Sequence, residues 1–170
     1  MPKIRLLPLP DSALLQKYAI EGTYTDCYGV DLDQHVSQVE FVSAFYTTWL
    51  FKLERWILAI AVKRPSSDEQ VIELAAAERE TFAAWHVESR TPEQLLMCDF
   101  IGRTRSWLMT DQRAGTRLYF GSAVVPRVDP ATGTHSLGAI FRVLLGFHKV
   151  YSRFLLGAAC SKLRRLGKSS

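Results

Sequence analysis

Apolar and polar positions alternate with two different periods along this chain. Apolar residues recur every three or four positions in 36–62, 71–84 and 136–165, and this spacing predicts amphipathic helices. Between Trp85 and Val125 the period shortens towards two, which predicts strands. Residues 1–20 are weakly patterned and punctuated by proline, and they predict an N-terminal arm with a short helical turn.

Five segments have the alternation and the β-forming residues of strands. They are Thr23–Leu32, Trp85–Arg90, Gln94–Ile101, Thr104–Thr110 and Thr116–Val125. Short turns, at Thr91-Pro92-Glu93, Gly102-Arg103 and 111–115, separate the last four. Since short turns join antiparallel neighbours, we expect these four strands to form a meander.

The first helical region, Val36 to Val62, predicts two helices. Ser37 and Glu40 have capping-box spacing, and a straight helix here would run about 40 Å, so we expect a bend near Thr47-Thr48. One side of the helical wheel is apolar and comprises Val42, Phe45, Trp49, Leu53, Trp56 and Ile60. A second capping box, Ser66 with Glu69 or Ser67 with Gln70, should precede the alanine-rich helix Val71 to Ala84.

The last helix should begin after Ser136 and reach about Arg165. One side is small or basic: Gly138, Arg142, Gly146, Lys149, Arg153, Gly157, Cys160 and Arg164. The apolar side comprises Ile140, Leu144, Phe147, His148, Tyr151, Leu155 and Ala158. An apolar arc this wide needs a broad partner, most naturally a sheet. Residues 166–170 are expected to fray.

These elements predict one α+β domain over residues 1–170. A curved antiparallel sheet packs against the long C-terminal helix, and a helical pair lies between the first and second strands. The element order across residues 23–165, with the phrases DFIGRTRSWLM, TRLYFGSAVVP and FRVLLGFHKVYSRFLLGAA, resembles an uncharacterised bacterial family of the helix-grip, or START-like (SRPBCC), superfamily. The resemblance implies a ligand cavity between sheet and helix. Larger members have seven strands against the five counted here. Either two more strands lie in the arm or in Arg127 to His135, or the sheet is smaller and the cavity closed.

Composition and charge narrow the class of protein. Of 170 residues, 48% are hydrophobic and 22% charged, as in a globular domain. Residues 130–170 carry seven basic and no acidic residues, which leaves 21 − 7 = 14 basic against 17 acidic residues elsewhere. This basic end indicates either a solvated helix face or contact with an anionic partner. The start lacks a signal-peptide pattern and no segment predicts a membrane span, so we expect a cytoplasmic protein.

Few residues of the chain indicate a catalytic, metal-binding or cofactor-binding role. The three cysteines, Cys27, Cys98 and Cys160, are odd in number and widely spaced, which indicates reduced thiols. The four histidines, at 35, 86, 135 and 148, lack metal-ligand spacing, and no cofactor motif is present, so neither a metal nor a cofactor is expected. Cys27 is interpreted as a buried thiol, with a nucleophile assisted by His148 as the alternative.

Asp99 with Arg103 or Arg105 predicts a turn-stabilising ion pair or an anchor for an acidic ligand group. For a cavity between sheet and last helix, the predicted lining residues are Cys98, Arg105, Trp107, Met109, Phe120, Ser122, His148 and Tyr151. Each aromatic residue could instead fill the core. No catalytic residue is predicted.

The expected function is binding of a small apolar or amphipathic molecule. One alternative is an interaction protein whose basic helix contacts a membrane surface, nucleic acid or a partner chain, and a lesser one is a cyclase-like enzyme using the same cavity. Peripheral membrane contact is left open and a nucleic-acid partner is not favoured. The chain is expected to be a monomer or a homodimer.

Overall fold

The computed structural model describes residues 3–20, 23–61, 63, 65–128, 135–136 and 139–167, with backbone alone for 54, 57–61, 127–128, 135–136 and 139–149. Its centre is a curved, seven-stranded antiparallel sheet in the order β1-β2-β7-β6-β5-β4-β3. The strands are β1 Arg5–Leu6, β2 Tyr24–Leu32, β3 Thr81–Phe82, β4 Trp85–Thr91, β5 Gln94–Asp99, β6 Thr104–Gln112 and β7 Thr116–Val124. A separate pair comprises β8 Arg127–Val128 and β9 His135–Ser136. The helices are α1 Gln38–Tyr46, α2 Trp49–Ala61, α3 Asp68–Ala75 and α4 Ala139–Leu166, with a 3-10 helix at Leu14–Tyr18.

The predicted α+β class, the antiparallel meander and the long C-terminal helix are confirmed. The sheet has two strands beyond the five predicted. One, β1, lies in the arm as expected, whereas β3 lies at Thr81–Phe82, where a helix was predicted. The pair β8–β9 falls in the other segment where strands were expected, but it forms its own small sheet.

The prediction that the alanine-rich helix reaches Ala84 is wrong, because a left-handed residue ends α3 early. Ala77 has φ 63°, and its N–H donates to Leu74 O at 3.2 Å. The N–H of Glu78 then donates to Glu73 O at 2.8 Å. These two bonds are those of a Schellman motif, which usually has glycine at the left-handed position. Alanine composition alone therefore did not predict where this helix ends.

Ala77→Gly is expected to raise the free energy of unfolding by about 0.5–1 kcal/mol, because glycine adopts positive φ without the Cβ conflict. The matched control, Ala75→Gly in the last turn of α3, should lower it by a similar amount. Urea denaturation of both variants measures the difference, and destabilisation by Ala77→Gly would contradict this account of the helix end.

The predicted bend between α1 and α2 is confirmed. The capping box of Ser37 and Glu40 begins α1, which ends at Tyr46. The hydroxyl of Thr48 then accepts a hydrogen bond from Phe51 N at 3.2 Å and so caps the start of α2. Ser67 and Gln70, the second of the two predicted alternatives, form the capping box of α3.

The predicted continuous apolar side of the helical pair is wrong beyond the bend. In α1, Phe45 is buried as expected. In α2, Phe51 is buried, whereas Trp49, Leu53 and Trp56 are exposed by 71%, 47% and 62%. The break in the backbone turns the second helix about its axis, so a stripe that is continuous on one helical wheel is divided between core and solvent.

Strand alternation gives the sheet two covered faces. The helix face packs against α1, α3 and α4 through residues such as Tyr28, Leu108 and Phe120. The arm face packs against the N-terminal arm, where Leu15 is fully buried beside Trp107. The core therefore has two layers, one on each side of the sheet.

The C-terminal helix buries a different side from the one predicted. Over 150–166, the part of α4 whose side chains are described, the buried residues are Ser152, Leu155, Leu156, Ala159, Cys160 and Leu163. Arg153 is exposed and Leu155 buried, as expected, but Cys160 was assigned to the small or basic side. The buried stripe is thus displaced by about one residue, or roughly 100°, around the helix. The side chains of Ile140, Leu144, Arg142 and Lys149 lie outside the described residues, and so do residues 168–170 of the predicted tail.

Leu156→Ala is expected to lower the free energy of unfolding by about 2–5 kcal/mol, because Leu156 is 0% exposed and its truncation leaves a cavity. Phe154→Ala, two positions away on the same helix, should cost less than about 0.5 kcal/mol because Phe154 is 66% exposed. Thermal or urea unfolding compares the pair, and equal losses would contradict this orientation of α4.

Candidate functional site

The structure divides the predicted cavity residues between the two faces of the sheet. Phe120 and Ser122 lie on the helix face, because Phe120 pairs with Tyr28 and Ser122 with Asp26. The predicted residues on the arm face are Cys98, Arg105, Trp107 and Met109. Tyr151 on α4 is partly buried against the helix-face core, and the side chain of His148 lies outside the described residues.

Trp107 belongs to the packing of the arm face. Its indole Nε1 donates to Gln94 Oε1 at 2.9 Å, and the same oxygen accepts a hydrogen bond from Leu14 N at 2.9 Å. A Cβ at Gly121, next to it on β7, would lie 2.9 Å from side-chain atoms of both Trp107 and Leu15. Only glycine admits so close an approach, so this part of the face is filled by the arm.

Arg105 lies in a charged cluster that also holds the arm. Its Nε donates to Glu88 Oε2 at 2.8 Å, and its guanidinium lies 4.7 Å from the ring centroid of Tyr18. The Tyr18 hydroxyl donates to Glu88 Oε1 at 2.6 Å, and Lys17 pairs with the same oxygen. The β4 register shifts between Val87 and Ser89, and such a bulge can redirect a side chain. Arg105 is thus already bound to a carboxylate.

The predicted pairing of Asp99 is confirmed only as a turn contact. Asp99 Oδ1 accepts a hydrogen bond from Arg103 N at 2.7 Å, and Gly102 N donates to Asp99 O at 3.0 Å. Gly102 has φ +73°, which closes the turn. The cross-strand partner of Arg105 is Glu88 rather than Asp99.

The charged cluster shifts the pKa of Glu88 downwards. Burial alone would raise this pKa, but hydrogen bonds from Lys17 and Tyr18 and the charge of Arg105 outweigh it. Burial raises the pKa of the nearby Cys98 thiol, although Arg105 opposes the shift. Cys98 therefore has the character of a protonated, structural thiol.

Glu88→Gln is expected to lower the free energy of unfolding at neutral pH by about 1–3 kcal/mol, because two cations and a hydroxyl lose a charged acceptor. The pKa of Glu88 is lower in the folded state than in the unfolded state, where it is about 4.3, so the ionised carboxylate stabilises the fold at pH values above about 4.3. This stabilisation is lost as the pH falls through the folded-state pKa. The difference from wild type should therefore vanish in acid.

Urea denaturation of both proteins from neutral pH to about pH 3 measures this dependence. Glu93→Gln, an exposed site in the β4–β5 turn, is the matched control and should cost less than about 0.5 kcal/mol. A Glu88→Gln deficit that persisted unchanged in acid would contradict the assigned role of the carboxylate.

A buried row of polar side chains crosses the helix face on neighbouring strands. This polar row comprises Asp26 of β2, Ser122 of β7 and Ser106 of β6, which pair across the ladder. Asp26 Oδ1 accepts from Ser122 N at 3.0 Å and from Ser122 Oγ at 2.6 Å. Tyr24 donates to Asp26 Oδ2 at 2.9 Å, and the Tyr46 hydroxyl of α1 lies 3.5 Å from Ser106 Oγ. All three members of the row are buried.

The C-terminal helix passes over β2 beside the polar row. The guanidinium of Arg153 lies 5.5 Å from the ring centroid of Tyr28, two residues from Asp26. The neighbouring Ser152 is fully buried, and its Oγ has no hydrogen-bond partner among the residues that the structure describes. Burial and the charge of Asp26 raise the pKa of Tyr24 and of Tyr28, so both phenols stay protonated and remain donors at neutral pH.

The structure does not favour Cys27 as a nucleophile. Burial, with the charge of Asp26, raises the pKa of the Cys27 thiol to about 12. Cys27 also belongs to the arm-face core, whereas α4, which carries His148, packs on the helix face. The three cysteines are free and buried.

A pocket of about 210 Å³ lies elsewhere, between α1, the end of α3 and the β4–β5 turn. Val42, Leu74 and Leu95 form part of its wall, together with Arg90 and Gln38. None of the predicted site residues whose side chains are described lines it.

Comparison of the chain with protein-family models, with curated proteins and with solved structures found no match. Within the described part of the chain, no three His, Cys, Asp or Glu side chains converge as a metal site would require. None of the helices searched there has both the length and the apolar character needed to cross a membrane.

Glu88, Tyr18 and Asp26 were assigned no role from the sequence alone. No local signal pairs Tyr18 with Glu88, since 70 residues separate them. The burial of Asp26 could have been predicted from strand alternation. Alternation places Asp26 on the same side of β2 as Tyr28 and Val30, which pack in the helix-face core.

Proposed function

We propose that the protein binds a small amphipathic molecule between the helix face of the sheet and α4. The polar row of Asp26, Ser122 and Ser106 carries this proposal. These side chains interrupt a face that is otherwise lined by residues such as Phe120 and Leu108. Their hydrogen bonds with one another and with Tyr24 offset the cost of burying them, but an apolar core of the same shape would avoid that cost altogether, so the presence of the row favours a binding role.

The chemistry of the row favours one kind of head group. The carboxylate of Asp26, at one end of the row, repels a second carboxylate in a low-dielectric site, whereas a hydroxyl or amine could donate to the row. Phe120 and Tyr28 would contact the apolar part of the ligand. The preferred ligand is therefore an alcohol or amine with an apolar body, rather than a fatty acid.

A long-chain alcohol is expected to raise the melting temperature, because a ligand of the native state stabilises it by about 2.7 kcal/mol at 100 times its dissociation constant. The fatty acid of equal chain length should do so less. Asp26→Asn removes the charge at constant shape and should bring the two ligands close to equal affinity. Calorimetric titration and thermal-shift measurements test both expectations.

Ser122→Phe would place a bulky side chain in the buried row and should abolish the alcohol-induced shift. Ser12→Phe is the matched control, since Ser12 is exposed in the arm, and it should keep the shift. No stabilisation by alcohols or amines of any chain length would refute the proposed function, as would an equal response of the two phenylalanine variants.

A further inference from the structure

Helix α2 presents an exposed apolar stripe that the core does not use. Trp49, Leu53 and Trp56 recur at four- and three-residue spacing and so share one side of the helix. The opposite side carries Phe51, which packs in the core, and Arg55, which is buried. Contiguous exposed apolar residues, two of them tryptophans, mark a surface that contacts something other than water.

Helix α2 and the three residues that follow it carry a net positive charge. Residues 49–64 contain four basic residues, Lys52, Arg55, Lys63 and Arg64, and one acidic residue, Glu54, for a net charge of 4 − 1 = +3. Arg55 Nη1 donates to Asp68 Oδ1 at 2.6 Å, and Lys52 pairs with the other oxygen of the same carboxylate. Lys52 and Lys63 are both exposed. Cations therefore lie beside the apolar stripe and at its end.

The end of α4 adds positive charge at the start of the stripe. Lys162 Nζ donates to Thr47 Oγ1 at 2.5 Å, two residues before Trp49. Burial and the charge of Lys52 lower the pKa of Lys162, so the two ammonium groups lie within electrostatic reach of each other. Arg164 and Arg165 follow on the exposed last turn of α4. Two helices thus contribute cations to one surface.

We propose that this surface docks on an anionic lipid bilayer. Trp49, Leu53 and Trp56 would enter the interface, while Lys52 and Lys162 would lie near lipid phosphates and carboxylates. Helices with tryptophan and leucine on one side and cations beside them bind in the plane of a membrane surface, and tryptophan favours the boundary between water and lipid. This proposal does not depend on the ligand proposed for the helix face.

A second copy of the chain fits the surface less well. Two such stripes facing each other would bring Lys52, Lys63 and Lys162 of one copy near those of the other, and like charges repel. An anionic surface instead attracts these cations. Charge complementarity therefore favours an anionic bilayer, rather than a second copy of the chain, as the partner of this surface.

The test is sedimentation with vesicles of phosphatidylcholine, with and without phosphatidylserine. The wild-type protein is expected to bind the anionic vesicles, more weakly as salt rises, and to bind neutral vesicles at least about tenfold more weakly. Tryptophan emission should shift to shorter wavelength on binding. Trp107 is already fully buried and Trp85 is partly buried against the core, so the exposed Trp49 and Trp56 dominate this change.

The double variant Trp49→Ala/Trp56→Ala should lose binding by about tenfold or more, because both side chains leave the interface. Its matched control, Phe100→Ala/Ile101→Ala, removes two exposed apolar residues from the β5–β6 turn and should bind as wild type does. Lys63→Glu should weaken binding to anionic vesicles alone. Circular dichroism and melting temperature confirm that each variant is folded.

Three outcomes would overturn the proposal. The first is equal vesicle binding by the stripe variant and the wild type. The second is a protein concentration-dependent dimer, found by analytical ultracentrifugation without lipid and abolished by the stripe variant, which would assign the surface to a second copy. The third is salt-sensitive binding to nucleic acid by the stripe surface with no binding to anionic vesicles.

Discussion

Strand β7 is covered on both of its sides, and the rest of the fold follows from that constraint. It lies between β2 and β6, and eight of its nine residues are buried. Since alternate residues of a strand point to opposite sides, the protein needs apolar cover on both. Helices α1, α3 and α4 provide it on one side, and an arm of fewer than twenty residues provides it on the other. A single-layered cover would leave Trp107 and Tyr119 in water.

The two covers are held in different ways. The helices pack through interlocking apolar side chains, including the aromatic contacts of Phe45 with Tyr46 and Phe120. Besides the pairing of β1 with β2 and the apolar packing of Leu15, the arm is held by a few directed polar bonds, those of the Gln94 amide with Leu14 and Ser12 and that of Glu88 with Tyr18. The part of the arm after β1 needs such bonds, because its backbone groups have no strand ladder to complete.

Local patterns predicted the elements well, and long-range geometry accounts for what they missed. The capping boxes at Ser37 and Ser67 and the turn at Gly102 depend on residues within a few positions, so the sequence states them directly. Trp49 was assigned to the apolar side that α2 was expected to bury, because a helical wheel assumes one continuous axis through the break at Thr48. Trp107 and Phe120 were expected to share a cavity, although register places them on opposite faces of the sheet.

The arm also constrains the order in which the chain can complete its fold. Residues 3–18 leave the ribosome before the strands that receive them, since Leu14 bonds to Gln94, eighty residues later. The surface that receives the arm exists only after β5, β6 and β7 have joined β2. During synthesis, Leu15 and its neighbours must therefore stay exposed until β7 is complete at Val124, 109 residues later. Contacts this distant in sequence slow folding, because a long loop must close before the contacts contribute any stabilisation. The arm is thus among the last segments to dock, and its apolar side chains stay in water until then.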